Sequence, residues 1–135
     1  MATIKSYTDI SQSKTLSKIL SLESADMYYD IAASDIDGEK AVAEVLHRKL
    51  TKNDCEVVDP CWSLASLLDV LPNNENISTE LSKGGYRIST LEYTNSWFVD
   101  YEDETDGLNN CVTSADNPVD ACVAMIEKLN ELNLL

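Results

Sequence analysis

Hydrophobic positions in the first third of the chain follow two different periods. Leu16 and Leu20 have the spacing of one helix face, which predicts a short helix over residues 13–22. Over residues 25–31 apolar and polar side chains alternate, and this alternation predicts a half-buried strand. Residues 1–12 follow neither period, so the pattern leaves a flexible N-terminal arm and a short edge strand as alternatives.

The middle of the chain predicts two further helices. Apolar residues of the segment 39–52 recur at i, i+3, i+4 and i+8, as on an amphipathic helix. A third helix is predicted to begin at Asp59 and Pro60, a capping carboxylate followed by the residue type that suits the first helical turn. Pro72 ends this helix, because proline cannot continue it.

Residues 73–115 contain short alternating runs separated by turn residues, which predicts three or four antiparallel strands. Trp97, Val99 and Tyr101 form the apolar face of one of them. The pair Asn117 and Pro118 then predicts the start of a C-terminal helix. Five apolar residues form the predicted core stripe of that helix: Val119, Cys122, Met125, Ile126 and Leu129.

This order of elements predicts an α+β fold, because helices and strands are segregated along the chain rather than alternating. We expect a three- to four-stranded antiparallel meander packed by the C-terminal helix and by two to three N-terminal helices. No linker or internal repeat interrupts the pattern, so residues 13–135 are predicted to form a single domain.

The composition of the chain also indicates the compartment in which we expect the protein. No run of 18 apolar residues occurs in the 135-residue chain, and its first ten residues lack the basic and apolar regions of a secretory signal. We therefore expect a cytoplasmic protein without a membrane partner. The formal net charge of −14 also argues against direct nucleic-acid binding, which depends on Lys and Arg to neutralise phosphates.

The negative charge is concentrated in the later part of the chain. Residues 1–52 carry a net charge of −1 and residues 53–135 carry −13. Between Arg87 and Lys128 the sequence has nine acids and no base. Five of these acids lie within seven residues, in a segment that we call the acidic run: Asp100, Glu102, Asp103, Glu104 and Asp106.

Three interpretations of the acidic run remain open. It is a solvated turn that favours solubility, a docking surface for a basic protein, or a calcium loop. A docking surface has a sharper form, in which the carboxylates stand in for DNA phosphates. The calcium spacing starts at Glu102 and includes Gly107 at position 6, but Thr113 stands where a bidentate Glu is required.

Candidate catalytic groups are few. The four cysteines contain no C-x-x-C pair, and without an export signal they are expected to be free thiols. His47, the single histidine, is predicted to lie on the polar side of the helix over 39–52. The sequence contains none of the common nucleophile, phosphate-loop or zinc motifs, so we expect no enzyme activity, cofactor or metal.

Trp62 has two interpretations. It packs the third helix onto the sheet, or it is an exposed anchor for a partner, a role in which Trp is over-represented. A separate alternative function is a small-molecule binder or a cysteine-dependent enzyme that uses Trp62 with Cys61 or Cys122.

Three segments together carry a resemblance: residues 22–27 (LESADM), residues 60–65 (PCWSLA) with Leu71-Pro72, and residues 117–122 (NPVDAC) with Met125-Ile126. This combination resembles a family of small uncharacterised acidic proteins from Bacteroides-group gut bacteria, their phages and their mobile elements. The similarity spans most of residues 14–135 and is weakest over 33–58. It implies a bacterial or phage cytoplasm and an accessory role, and it assigns no catalytic residue.

These observations predict a non-enzymatic acidic accessory protein that binds a positively charged macromolecular partner. The predicted contact residues are the acidic run and Trp62. A DNA-mimic inhibitor of a nucleic-acid-binding protein is the main alternative within the same class. The sequence leaves the oligomeric state open.

Overall fold

The computed structural model describes residues 5–72, 87–90, 96–101, 111–133 and 135. The chain divides into two compact units, which we call the N-terminal unit (Ser6–Leu67) and the C-terminal unit (Met1–Lys5 and Leu68–Leu135). Each unit contains a three-stranded antiparallel sheet. None of the helices in the described part of the chain is long and apolar enough to cross a membrane.

The sheet of the N-terminal unit has its first strand in the centre. The strand order is β2-β1-β3, with both pairs antiparallel. Tyr29 is 2% exposed and Asp30 beside it is exposed, as the predicted alternation requires. The bounds are Met27–Asp30 for β1, Glu44–Val45 for β2 and Val58–Cys61 for β3.

The first helix, α1 (Ile10–Leu16), begins and ends earlier than the predicted 13–22. A capping box fixes its start, because Gln12 N donates to Asp9 Oδ1 at 2.8 Å and Asp9 N donates to Gln12 Oε1 at 3.0 Å. Just before it, Tyr7 forms an antiparallel bridge with Ser63. The segment predicted as an arm or an edge strand therefore contains both a strand-like bridge and the start of a helix.

The helix predicted over residues 39–52 is wrong. A seven-residue helix, α2 (Ile31–Asp37), precedes this segment, and Gly38 ends it with a φ of 55°, which favours glycine. Val45 then pairs with Met27 of β1, and Leu46 N donates to Asp26 O at 2.9 Å. Backbone N–H and C=O groups that would form hydrogen bonds within a helix here bond to β1 instead. Tertiary pairing therefore overrides the helical preference that the hydrophobic period indicates.

The predicted helix start at Asp59 and Pro60 is also wrong. Both residues belong to β3, an edge strand of this sheet, where proline is tolerated because it need not donate to a ladder. The helix, α3 (Leu64–Val70), begins later, and its capping residue is Ser63, whose Oγ accepts from Ser66 N at 3.2 Å.

The C-terminal unit pairs its described strands in sequence order, β4-β5-β6. Val99 and Tyr101 are fully buried, as predicted for this face, whereas Trp97 is half-buried. The Tyr101 hydroxyl donates to Pro72 O at 2.8 Å. The bounds are Arg87–Thr90 for β4, Trp97–Tyr101 for β5 and Cys111–Ala115 for β6.

The C-terminal helix, α4 (Pro118–Glu131), packs against β5 and β6 and begins where it was predicted. Asn117 Oδ1 accepts from Asp120 N at 2.8 Å, and Pro118 occupies the first turn. The predicted core stripe is confirmed, since each of its members is 0% exposed: Val119, Cys122, Met125, Ile126 and Leu129.

The α+β class is confirmed, but the predicted arrangement is not. A single meander covered by N-terminal helices was expected, whereas the described residues form two sheets, one of them built from N-terminal segments. The strand and turns predicted over residues 73–86, and the turn at 94–95, lie outside the described residues.

Candidate functional site

Asp100 is the member of the acidic run that lies within the described residues. It is half-buried in β5, where it pairs with Arg87 of β4 and Val112 of β6. Four other acids of the run lie outside the part of the chain that the structure describes: Glu102, Asp103, Glu104 and Asp106. The first six positions of the calcium spacing, Glu102 to Gly107, lie there too, whereas Thr113 at its twelfth position lies in β6, where its hydroxyl donates to Ala121 O at 2.9 Å.

Trp62 is packed in the interior. Its side chain is 0% exposed, and its indole N–H donates to Ser24 Oγ at 2.9 Å. A fully buried ring offers no surface to a partner, so we exclude Trp62 from any docking surface. Trp62 is therefore an interior residue, and the interpretation as an exposed anchor is wrong.

A buried polar cluster surrounds the neighbouring Cys61. Thr8 Oγ1 lies 2.8 Å from Ser13 Oγ and 3.4 Å from Cys61 Sγ, and Tyr29 donates to Thr8 O at 2.7 Å. Burial raises the pKa of the Tyr29 hydroxyl, with smaller contributions from its neighbours. These groups satisfy each other in the interior, so the cluster stabilises the unit rather than presenting a reactive group to solvent.

The described thiols lie in surroundings that disfavour the thiolate. Burial raises the pKa of Cys122 to about 12. It also raises the pKa of Cys61, although hydrogen bonds from Thr8 and Ser13 act in the opposite direction. Half-buried Cys55 has a raised pKa because of burial and of the nearby carboxylates of Asp54 and Asp59. Neutral thiols are poor nucleophiles, so this geometry does not favour a cysteine-dependent enzyme.

A surface groove is the candidate binding site of the N-terminal unit. Its volume is about 410 Å³, within the range of small-molecule sites. Tyr28 of β1 and Val58 of β3 line one side, on the sheet face opposite the buried Tyr29. The rest of the apolar lining is Val45 of β2 and three residues of the segment that leads from β2 to β3: Leu46, Leu50 and Val57.

His47 lines this groove together with Arg48 and Asp54. His47 is exposed, as its surface interpretation predicts, although it lies in a loop and not on a helix. Sequence reasoning missed the site because the predicted helix placed Val45 and Leu50 on one buried stripe. In the structure Leu50 is 6% exposed and Val45 is 61% exposed. A run of four basic or histidine residues between 47 and 52 was the available signal.

Asp54 closes the loop beside the groove. Its carboxylate accepts from Arg48 Nη1 and Nη2 at 2.8 and 2.7 Å, and from Thr51 N and Oγ1 at 2.7 and 3.0 Å. The hydrogen bonds from Arg48, and next those from Thr51, hold the pKa of Asp54 well below its usual range. The bidentate guanidinium–carboxylate geometry fixes the orientation of both side chains.

Within the described residues, no group of three or more His, Cys, Asp and Glu side chains is arranged to hold a metal ion. Comparisons of the chain with models of known families, with curated proteins and with solved structures yield no match. The resemblance to the Bacteroides-group family therefore stays a prediction.

Proposed function

We propose that this chain is a non-enzymatic acidic accessory protein that binds a positively charged macromolecular partner in a bacterial cytoplasm. The observation that carries the proposal is that four acids of the acidic run fall in the sequence between two paired strands, β5 and β6. Tyr101 of β5 pairs with Cys111 of β6, so Glu102, Asp103, Glu104 and Asp106 all belong to the nine residues that join them.

The charge of the C-terminal unit supports this proposal. Its residues include thirteen acids and four bases, a net charge of −9, whereas the N-terminal unit carries −5. One of those bases, Lys5, is already paired with Asp120 at 2.8 Å. A field of this sign attracts a basic surface and raises its association rate, an effect that falls as ionic strength rises.

The DNA-mimic form of the proposal is an outcome of the same test. If the partner is a nucleic-acid-binding protein and the carboxylates replace phosphates, added DNA competes with this chain for it. The alternative built on Trp62 with Cys61 or Cys122 has less support, because all three side chains are 0% exposed.

The experiment is capture of partners from a bacterial extract on immobilised protein, at low and at high salt, followed by mass spectrometry. We expect basic proteins to be retained at low salt and released as salt rises. Competition with duplex DNA separates a DNA mimic from a general acidic docking surface. Partners that stay bound at high salt, or retention of no basic protein, would contradict the proposal.

A further inference from the structure

The groove of the N-terminal unit combines exposed apolar walls with the hydrogen-bond donors of His47 and Arg48. Val45 and Val57 remain 61% and 63% exposed where they line it. Leu46, Leu50 and Val58 extend this apolar lining. Exposed aliphatic side chains around a concave site favour an apolar ligand, because binding removes their surface from water.

Hydrogen-bond donors of the groove retain unused capacity. Arg48 has five N–H groups, and its hydrogen bonds are two to Asp54 and one to Lys49 O. Asp54 already accepts four hydrogen bonds, two from Arg48 and two from Thr51, which leaves little capacity for a further donor. Exposed His47 lies beside Arg48 in the lining. These groups favour a ligand that accepts hydrogen bonds.

The local charge has the same preference. Residues 46–53 contain His47, Arg48, Lys49 and Lys52 and no acid, in a chain whose net charge is −14. Lys49 Nζ donates to Glu23 O at 2.9 Å. Arg48 is paired with Asp54 at 2.7 Å, so within the described residues the cations of this segment that have no acidic partner are Lys49 and Lys52, which flank the lining residues and favour an anion.

We propose that the groove binds a small amphipathic carboxylate. Its alkyl or aromatic body packs against Val45, Leu50 and Val57, and its carboxylate accepts hydrogen bonds from Arg48 and His47. This site uses none of the residues of the acidic run, so its test is independent of the test of the proposed function.

Octanoate, octanol and octylamine test this assignment, since they share one alkyl chain and differ in the charge of the head. Titrations followed by NMR of the valine and leucine methyl groups should show octanoate binding with a dissociation constant of about 10 mM or tighter. Octanol should bind more weakly, and octylamine most weakly. Shifts should be confined to the methyl groups that line the groove.

Three variants locate the site. Val57→Asp places a charge in the groove, whereas Val42→Asp alters a valine that is 74% exposed and does not line it. His47→Glu places an acid at an exposed position of the rim of the groove, where it should repel a carboxylate.

We expect V57D and H47E each to weaken octanoate binding at least about fivefold and V42D to leave it unchanged. Octylamine binding as tightly as octanoate, equal effects of V42D and V57D, or no octanoate binding at about 10 mM would overturn the proposal.

Discussion

Among single residues, Asp54 has the most extensive set of contacts near the groove. It joins Arg48 and Thr51 across a loop that has no regular secondary structure between β2 and the short 3-10 turn at Asp54–Glu56. A carboxylate that accepts several hydrogen bonds stabilises the folded state only in its ionised form. Its contribution should therefore depend on pH.

We predict that Asp54→Asn lowers the free energy of unfolding at neutral pH. The folded-state pKa of Asp54 lies below that of an unfolded aspartate, about 4. The stabilisation is thus fully present above that value and is lost as the pH falls toward the folded-state pKa. Urea unfolding of both proteins across this range should show a gap that narrows in acid. A gap that is constant with pH would contradict the role of the ionised carboxylate.

The thiols give a second prediction at this scale. Cys61 and Cys122 are 0% exposed, and their raised pKa values keep them as neutral thiols near pH 7. In a Cys55→Ser, Cys111→Ser background, we expect a thiol reagent to label them only as fast as the protein unfolds, because reaction requires an accessible thiolate. Rapid labelling of either folded thiol would restore the cysteine-dependent alternative.

At the scale of elements, local sequence signals predicted an element correctly where pairing with distant segments did not compete with them. Helix α4 was predicted correctly, because Asn117, Pro118 and one continuous apolar stripe all indicate the same helix. The segment 39–52 has an equally regular stripe, but Glu44 and Val45 pair with β1 instead. Pairing between distant segments cannot be read from the period of one of them.

The start of α3 offers a matched test of these two kinds of signal. Ser63 Oγ accepts from Ser66 N and donates to Asp26, whereas Asp59, the cap predicted from sequence, lies in β3. We predict that Ser63→Ala costs about 1–2 kcal/mol of unfolding free energy. Asp59→Ala should cost less than about 0.5 kcal/mol, because Asp59 lies in β3 and caps no helix.

Chemical denaturation of the two variants beside the parent protein measures this difference. A larger loss for the Asp59 variant than for the Ser63 variant would mean that the helix begins at Asp59, as the sequence pattern suggests.

For the whole molecule, the distribution of charge could be predicted from the sequence, whereas the groove could not. The excess of acids and the position of the acidic run follow directly from the residue types along the chain. The groove does not, because it depends on how the segment between β2 and β3 lies beside Tyr28 and on the contacts of Asp54. Such a site combines Tyr28 with residues of the segment 45–58, and no local pattern links these two parts of the sequence.

The proposed function requires that the acidic run, and not the net charge alone, binds the partner. Two variants separate these possibilities, each with a net charge of −9. One carries amides at Asp100, Glu102, Asp103, Glu104 and Asp106, and the other carries them at five exposed acids elsewhere: Asp35, Asp37, Glu56, Asp69 and Glu131.

The decisive measurement is the affinity of both variants for the partner captured at low salt. We expect the acidic-run variant to bind at least about tenfold more weakly than the parent, and the control variant to bind within about threefold of it. Equal affinities of the two variants would contradict a docking surface in the acidic run.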